Sequence, residues 1–448
     1  MDNRTIAAIS TPQGVGGIAV IRISGEKATD IADKVYVGKV KLANAPTHTV
    51  HYGKIVDGNG EILDEVLVTV MRAPRTFTRE DVVEISTHGG MVASKRVLKA
   101  VYAAGAEPAL AGEFTKRAFL NGRIDLARAE AVIDIINSKT DLEQKNALRH
   151  SDGQLSERVE EVRSNLVGLA AAMQVAIDYP DEDLEDITAD EIADRLEKAK
   201  SGLSKLSDSA MRGRLIKNGI MTAIIGRANV GKSSLLNYLA MEERAIVTDI
   251  AGTTRDVIEE LVDVGGVPLR LIDTAGIRTT DDTVEKIGVE KALSYIEKAD
   301  LILHVLDARD GLTDEDKELL SRTENTKRIV LINKTDLHAP FELDGAIAIS
   351  AKTGDGIDEL AKRIKDMYEL SQIGSAEEVT LTNERHLSAV IRAESAIGRA
   401  ISAIENGMAQ DFAALDINEA ISALGEIDGK SVSEDIVSEV FHGFCVGK

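Results

Sequence analysis

The chain has 448 residues, 53 basic against 75 acidic side chains, a formal charge of −22 and a hydrophobic fraction of 44%. That is enough for two or three globular domains, and no run approaches the ~20 apolar residues a bilayer span needs, which excludes a helical transmembrane protein. An acid precedes any apolar stretch at the N-terminus, so no secretory leader is expected and the chain reads as cytoplasmic; the single cysteine, Cys445, excludes intramolecular disulfides and multi-cysteine zinc sites.

Residues 1–119 carry 15 basic and 13 acidic side chains, so the acid lies in the rest of the chain. Short apolar runs separated by turn residues, at Ile6 to Ile9, Gly17 to Ile23, Thr49 to Val56, Val66 to Met71 and Val82 to Ser86, predict a strand-rich α+β domain over 1–119 with few amphipathic helices. From 120 to 215 apolar residues recur at three- and four-residue spacing, as in Leu126 to Lys139 and Leu155 to Ala176, which predicts helix. The acidic run Asp178 to Asp186 interrupts it and is read as a solvated connection or a charged helix start. Over 216–375 the pattern becomes strands alternating with helices, with strands at Met221 to Ile225, Leu269 to Ile272, Leu301 to Leu306, Ile329 to Ile332 and Ala346 to Ile349, which predicts a parallel sheet of βαβ units. Helix returns over 376–448, in Glu384 to Asn406 and Asp411 to Leu424. Neither helical block is large enough to close its own core, so the expected fold is multidomain α/β: an α+β domain, an all-α domain made from two chain segments, and a βα domain inserted between them.

Four motifs end successive predicted strands of the inserted domain. Gly226-Arg227-Ala228-Asn229-Val230-Gly231-Lys232-Ser233 is a P-loop between a strand and the helix opening at Ser234. In such a loop backbone N–H groups wrap phosphates, Lys232 reaches the β- and γ-phosphates, and the Ser233 hydroxyl ligates Mg²⁺. Asp273-Thr274-Ala275-Gly276 offers an acid to the Mg²⁺ shell, through water, and a glycine N–H to the γ-phosphate. Asn333-Lys334-Thr335-Asp336 brings a carboxylate that can accept from guanine N1–H and N2–H, a donor pair adenine lacks. Ser350-Ala351-Lys352 can close over the base. Any one could be a surface turn; four in order make the domain a GTP binder.

Residues 217–375 resemble a TRAFAC-class, Ras-like GTPase domain, and Gly252-Thr253-Thr254-Arg255-Asp256 resembles the switch I signature of its Era/TrmE-like branch. The resemblance implies nucleotide contacts along Thr248, Asp249, Ile250, Ala251, Gly252, Thr253 and Thr254, with Thr254 as second Mg²⁺ ligand. Where Ras-like proteins carry a water-positioning Gln, this chain has Ile277, which cannot orient water.

Over its whole length the chain resembles the MnmE (TrmE) family. The opening Thr5 to Pro12, Gly14 to Ala19 and Ile21 to Gly25, then His88-Gly89-Gly90, Gly112 to Arg123 and the terminal Phe444-Cys445-Val446-Gly447-Lys448 carry the match, with Val446 where Ile is usual. This implies a K⁺-stimulated GTP hydrolase, with K⁺ held by Asn229, Thr248, Ile250 and Thr253, and with Glu285, which orients the attacking water through a second water, and Lys232 as catalytic residues. Read without the resemblance, Glu285 is an ordinary exposed acid. The resemblance further implies an N-terminal homodimerisation domain binding a 5-formyl- or methylene-tetrahydrofolate through Arg22, Glu84, Arg123 and Lys448, with a chemical role for Cys445. The implied function is addition of a (carboxymethyl)aminomethyl group to carbon 5 of tRNA wobble uridine, with tRNA and the FAD-dependent MnmG (GidA) as partners in a heterotetramer or larger complex. The alternative is an assembly GTPase of the Era type; a C-terminal block with 5 basic and 13 acidic residues from Glu377 onward argues against its basic RNA-binding appendage. A folate-dependent aminomethyltransferase working without GTP is opposed by the intact P-loop.

Overall fold

The computed structural model describes residues 4–12, 14–178, 187–241, 259–272, 299–324, 326–370 and 379–447. The chain forms two compact units, Met1–Ile133 with Leu424–Lys448, and Asp134–Ala423.

The first unit is built on a seven-stranded sheet of β1 (Ile6–Ile9), β2 (Ile18–Ser24), β3 (Tyr36–Gly38), β4 (Thr49–Val56), β5 (Ile62–Met71), β6 (Val82–His88) and β7 (Glu107–Pro108), ordered β3-β4-β5-β6-β2-β1-β7. One face is dry: Ile21 and Ile23, Val66, Val68 and Val70, and Val83 and Ile85 pack together under helices Ala28–Val35 and Met91–Ala103. Strand alternation supplies that face. The two helices, of 8 and 13 residues, give the domain the α+β character expected over 1–119. Their inner faces set alanines (Ala28, Ala32, Ala100) beside Ile31, Val35, Val97 and Val101, which seats the helices close to the sheet on one apolar face each. The C-terminal segment completes this unit. Helix Glu434–His442 and Phe444 pack Phe441, Phe444 and Val437 against Leu126 and Ala129, and Val446 forms an antiparallel bridge with Ala111.

In the second unit, β8 (Ile220–Ile225), β9 (Glu259–Val264), β10 (Val267–Ile272), β11 (Leu301–Asp307), β12 (Arg328–Asn333) and β13 (Ile347–Ala348) form a sheet ordered β13-β12-β11-β8-β10-β9. All five expected strands are present, and all seven residues of the central β11 are buried, as a parallel strand covered on both faces requires. The expectation of a wholly parallel sheet needs correction: β9 pairs antiparallel with β10 through Gly265-Gly266, both at positive φ, 59° and 91°. A two-residue Gly-Gly connection is a strong hairpin signal and was legible in the sequence.

The chain enters this sheet from the helix Ala189–Asn218, opened by a reciprocal cap between Thr188 and Glu191, and rejoins that helix beyond residue 378. There the Leu381 amide donates to Ser209 Oγ at 3.1 Å, and helix Glu384–Glu405 packs back along Ala189–Asn218. The inserted arrangement expected from the sequence is therefore the one observed. Helices Asp141–Asp152 and Gln154–Asp178 complete the layer; the acidic residues 179–186 lie outside the described residues. Among the described residues no helix is long and apolar enough to cross a membrane.

At the junction Gly213 is buried mid-helix, where an added Cβ would run into the Leu381 carbonyl group. An Ala there would gain about 1 kcal/mol of helix propensity. The clash with backbone outweighs it, so Gly213→Ala is expected to lower unfolding free energy by roughly 2 kcal/mol net, read as a reduced urea midpoint at unchanged slope.

Candidate functional site

The P-loop joins β8 to helix Lys232–Met241. Gly226, Asn229 and Gly231 adopt positive φ of 144°, 65° and 101°. A side chain at Gly226 would strike the Val305 carbonyl of β11, and one at Gly231 the Asn333 side-chain amide, so both positions demand glycine on steric grounds as well. Lys232 Nζ donates to the carbonyls of Gly226 and Arg227, each at 2.7 Å, which curls the loop around the lysine. Burial pushes the Lys232 ammonium below its ordinary pKa, with Glu315 acting in the opposite sense. An anion at the loop would restore it. Ser233 and Ser234 are exposed on the first helical turn, as a Mg²⁺-binding hydroxyl and a phosphate donor require, and Val230 is buried beneath the loop.

The base-side motif is tied to the same loop. Asn333, buried at the end of β12, donates from Nδ2 to the Val230 carbonyl at 2.8 Å and accepts from the Ala351 amide at 2.9 Å. Lys334 Nζ reaches the Asn229 carbonyl at 2.7 Å and Asp307 at 2.7 Å. Burial raises the Asp307 carboxyl, but the Lys334 ammonium and the Arg309 amide outweigh it and hold the group below its ordinary value. Asp336 is exposed, and its Oδ1 accepts from the buried Ser350 hydroxyl at 2.9 Å; Lys352 is exposed beside it. The phosphate and base elements thus share the carboxyl edge of β8, β11, β12 and β13, the usual ligand edge of such sheets.

In the first unit Arg22 and Glu84 are register partners on β2 and β6, joined through Arg22 Nε and one Glu84 oxygen at 2.9 Å. Arg22 also approaches the Gly447 carbonyl at 3.5 Å and stacks on Phe114, 5.6 Å from the ring centroid. Arg123 stacks on Phe77 at 5.4 Å and donates to the Thr76 carbonyl, and Phe77 packs against the cluster that holds Phe114. Of the four residues expected at a folate site, Arg22 and Glu84 are thus paired, and Arg123 is held on Phe77 and Thr76. Cys445 is exposed, and its carbonyl accepts from the Gly112 amide at 3.3 Å.

Two family models match the chain, one described as the MnmE helical domain over residues 126–445 and the other as the GTP-binding protein TrmE N-terminus over residues 5–123. The chain is 48% identical over 454 residues to a protein of Acetivibrio thermocellus, and 49% identical over 458 residues to one of Geobacillus thermodenitrificans. Each match covers 99% of both chains, and each relative is described as "tRNA modification GTPase MnmE". The chain belongs to the MnmE family. A solved structure of Aquifex aeolicus Era bound to GDP and AlF4⁻ is 31% identical over 40% of this chain and 66% of its own, with a TM-score of 0.27.

As a member of the MnmE family the chain combines an N-terminal α+β unit, a helical layer from two segments and a P-loop GTPase domain. Of the expected nucleotide residues, Asn229, Val230, Gly231, Lys232, Ser233, Ser234, Asn333, Lys334, Asp336, Ser350, Ala351 and Lys352 are described and gather at one sheet edge. Thr248 to Thr254, Asp273 to Gly276, Glu285 and the folate candidate Lys448 lie outside the described residues. Sequence reading missed Asp307, whose signal was an acid closing a buried apolar strand, and the side chain of Arg227.

Proposed function

We propose that this MnmE-family chain is a GTP hydrolase acting in the modification of tRNA wobble uridine at carbon 5. What carries the GTPase part of the reading is the bracing of loop 226–231 on Asn333 and Lys334, which ties phosphate- and base-reading elements to each other; the tRNA part rests on the relatives described as tRNA modification GTPases. Mg²⁺ would be held by Ser233 and Thr254, with Asp273 through water, and would neutralise phosphate charge there. K⁺ would be held by Asn229, Thr248, Ile250 and Thr253 and would offset charge between the β- and γ-phosphates, and Glu285 would orient the attacking water through a second water. The meeting of Arg22 and Glu84 with the Gly447 carbonyl supports tetrahydrofolate binding by these residues with Arg123 and Lys448: a Glu can accept from pterin N–H groups, and guanidinium or Lys448 ammonium can meet folate carboxylates. Cys445, beside that constellation, is the candidate for a chemical role there.

Two copies pair through the N-terminal unit. The exposed Val50, Tyr52 and Leu67 on one face of β4 and β5 support this, since such an apolar patch is unfavourable in a lone protomer. MnmG supplies the flavin chemistry, because no dinucleotide fingerprint occurs here: Gly14 to Gly17 leads into β2 rather than a helix. The working division is 1–119 for folate and pairing, 120–215 and 376–448 for the helical domain, with the stretch from Leu424 onward packed into the first unit, and 216–375 for GTP, in a cytoplasmic protein. Nucleoside analysis of tRNA from cells lacking this gene is expected to show the wobble-uridine modification gone and restored by the wild-type gene. Unaltered wobble uridines would instead favour the assembly-GTPase reading.

A further inference from the structure

The first half of the P-loop has a tether of its own. Arg227 Nε lies 3.1 and 3.0 Å from the two carboxylate oxygens of Asp316, and its terminal nitrogen is 3.4 Å from Asp310. Asp310 is shared with Arg309, but Asp316 is fully buried. Asp316 sits in the first turn of helix Asp314–Arg322, where its carboxylate accepts from the Thr313 amide at 3.1 Å and the Thr313 hydroxyl at 2.6 Å. A carboxylate out of water needs a cation as well as hydrogen bonds, and among the described residues Arg227 is the cation bonded to it.

The pair's place in the site argues for more than packing. Arg227 gives its carbonyl to Lys232 Nζ, so anchoring its side chain fixes where the phosphate-reaching ammonium is held. The second half of the loop is anchored separately, by Asn333 on Val230 and Lys334 on Asn229. Lys334 in turn is held by Asp307, at the start of the segment that leads from β11 to Asp316. That segment braces both halves of the loop at opposite ends. With three residues at positive φ, the loop has little intrinsic preference for its shape and depends on such external anchors.

We propose that Arg227 is a positioning residue for the phosphate site, acting through its ion pair with buried Asp316, a role that rests on the GTPase reading above. Arg227→Ala, Asp316→Asn and the double variant of the full chain are compared with wild type. The measurements are GDP and non-hydrolysable GTP-analogue affinity, steady-state GTP hydrolysis, and thermal unfolding of the nucleotide-free protein. Asn at 316 keeps a capping oxygen but not the charge. Each single variant is expected to weaken nucleotide binding about tenfold and to lower kcat/KM at least as much, as loss of a charge-assisted bond implies. The double variant is expected to be no worse than the weaker single within about twofold, because both remove one interaction. Losses that multiply in the double variant overturn the proposal, as does a lowered melting temperature with affinity within twofold of wild type, the mark of a purely structural pair. Should Arg227→Ala fail to fold, Asp316→Asn alone decides: affinity within twofold of wild type overturns the tether. A wild-type chain that binds neither nucleotide overturns the GTPase reading and the tether with it.

Discussion

Replacing Asp336 by Asn is expected to turn a guanine site into a xanthine site. The Asp336 carboxylate is exposed at the end of β12 with one oxygen engaged by Ser350 Oγ at 2.9 Å. The Ser350 oxygen itself accepts from the Thr353 amide at 3.2 Å, so its proton is directed at Asp336. In the Asn variant that proton selects the amide oxygen for the inner position, which turns the Asn NH₂ outward to where a carboxylate acceptor stood. Guanine, presenting N1–H and N2–H, then meets a donor, while xanthine offers an oxygen at carbon 2 that matches it. A site built to bond a donor pair rejects a mismatched partner by about 10⁴-fold in favourable cases, because a polar group is left unpaired. The expected result is a fall in GTP affinity of roughly 10²-fold or more with xanthosine triphosphate becoming the preferred nucleotide, measured by competition binding. Unchanged preference would remove the base-reading role from Asp336. Because the exchange is isosteric and at an exposed position, melting temperature should hardly move, which separates specificity from stability.

The parts of this site that sequence could reveal are those whose chemistry is local. A P-loop needs glycines at fixed spacing after a strand, and Asn333 to Asp336 follows the apolar run of β12 directly, so both were legible with their strands. Strands bounded by turns were legible for the same reason; helix Ala28–Val35 was not, since its eight residues are shorter than the stretch over which a helical period can be read. What stayed hidden depends on pairing across long sequence distance. Arg227 and Asp316 are 89 residues apart, and nothing near either one announces the other. Arg22 and Glu84 face each other only because β2 and β6 pair in that register, and a shift of one residue would put them on opposite faces. The closure of the first unit by Phe441, Phe444 and Val446 likewise has no local signature; two aromatic residues near a chain end fit many arrangements. The Gly447 carbonyl near Arg22 gives that closure a functional sense, because it brings the last residues to the candidate folate contacts.

The second large expected effect is on the choice of monovalent cation. Ile277 stands where a water-positioning Gln would be, so hydrolysis must be organised differently, and the charge that develops between β- and γ-phosphate needs compensation of its own. An arginine finger supplies about 10³–10⁵ in rate in related enzymes. Asn229 is suited to hold a cation instead: it is exposed on the P-loop, its amide oxygen is a hard neutral ligand, and its own carbonyl is pinned by Lys334 at 2.7 Å, so the backbone that carries the side chain is fixed. GTP hydrolysis is therefore expected to be at least about tenfold faster in K⁺ than in Na⁺ at equal ionic strength, a modest share of what a finger achieves. The test of the residue must respect its φ of 65°. Alanine would add a backbone penalty of about 1 kcal/mol in that region and confuse the result, whereas glycine tolerates it. Asn229→Gly should bring the K⁺ to Na⁺ rate ratio close to one, and Asn229→Asp, which retains an oxygen ligand, should keep the ratio well above it. Equal wild-type rates in the two salts would refute a cation mechanism outright. A ratio preserved in Asn229→Gly would leave K⁺ stimulation standing and move its ligand away from Asn229.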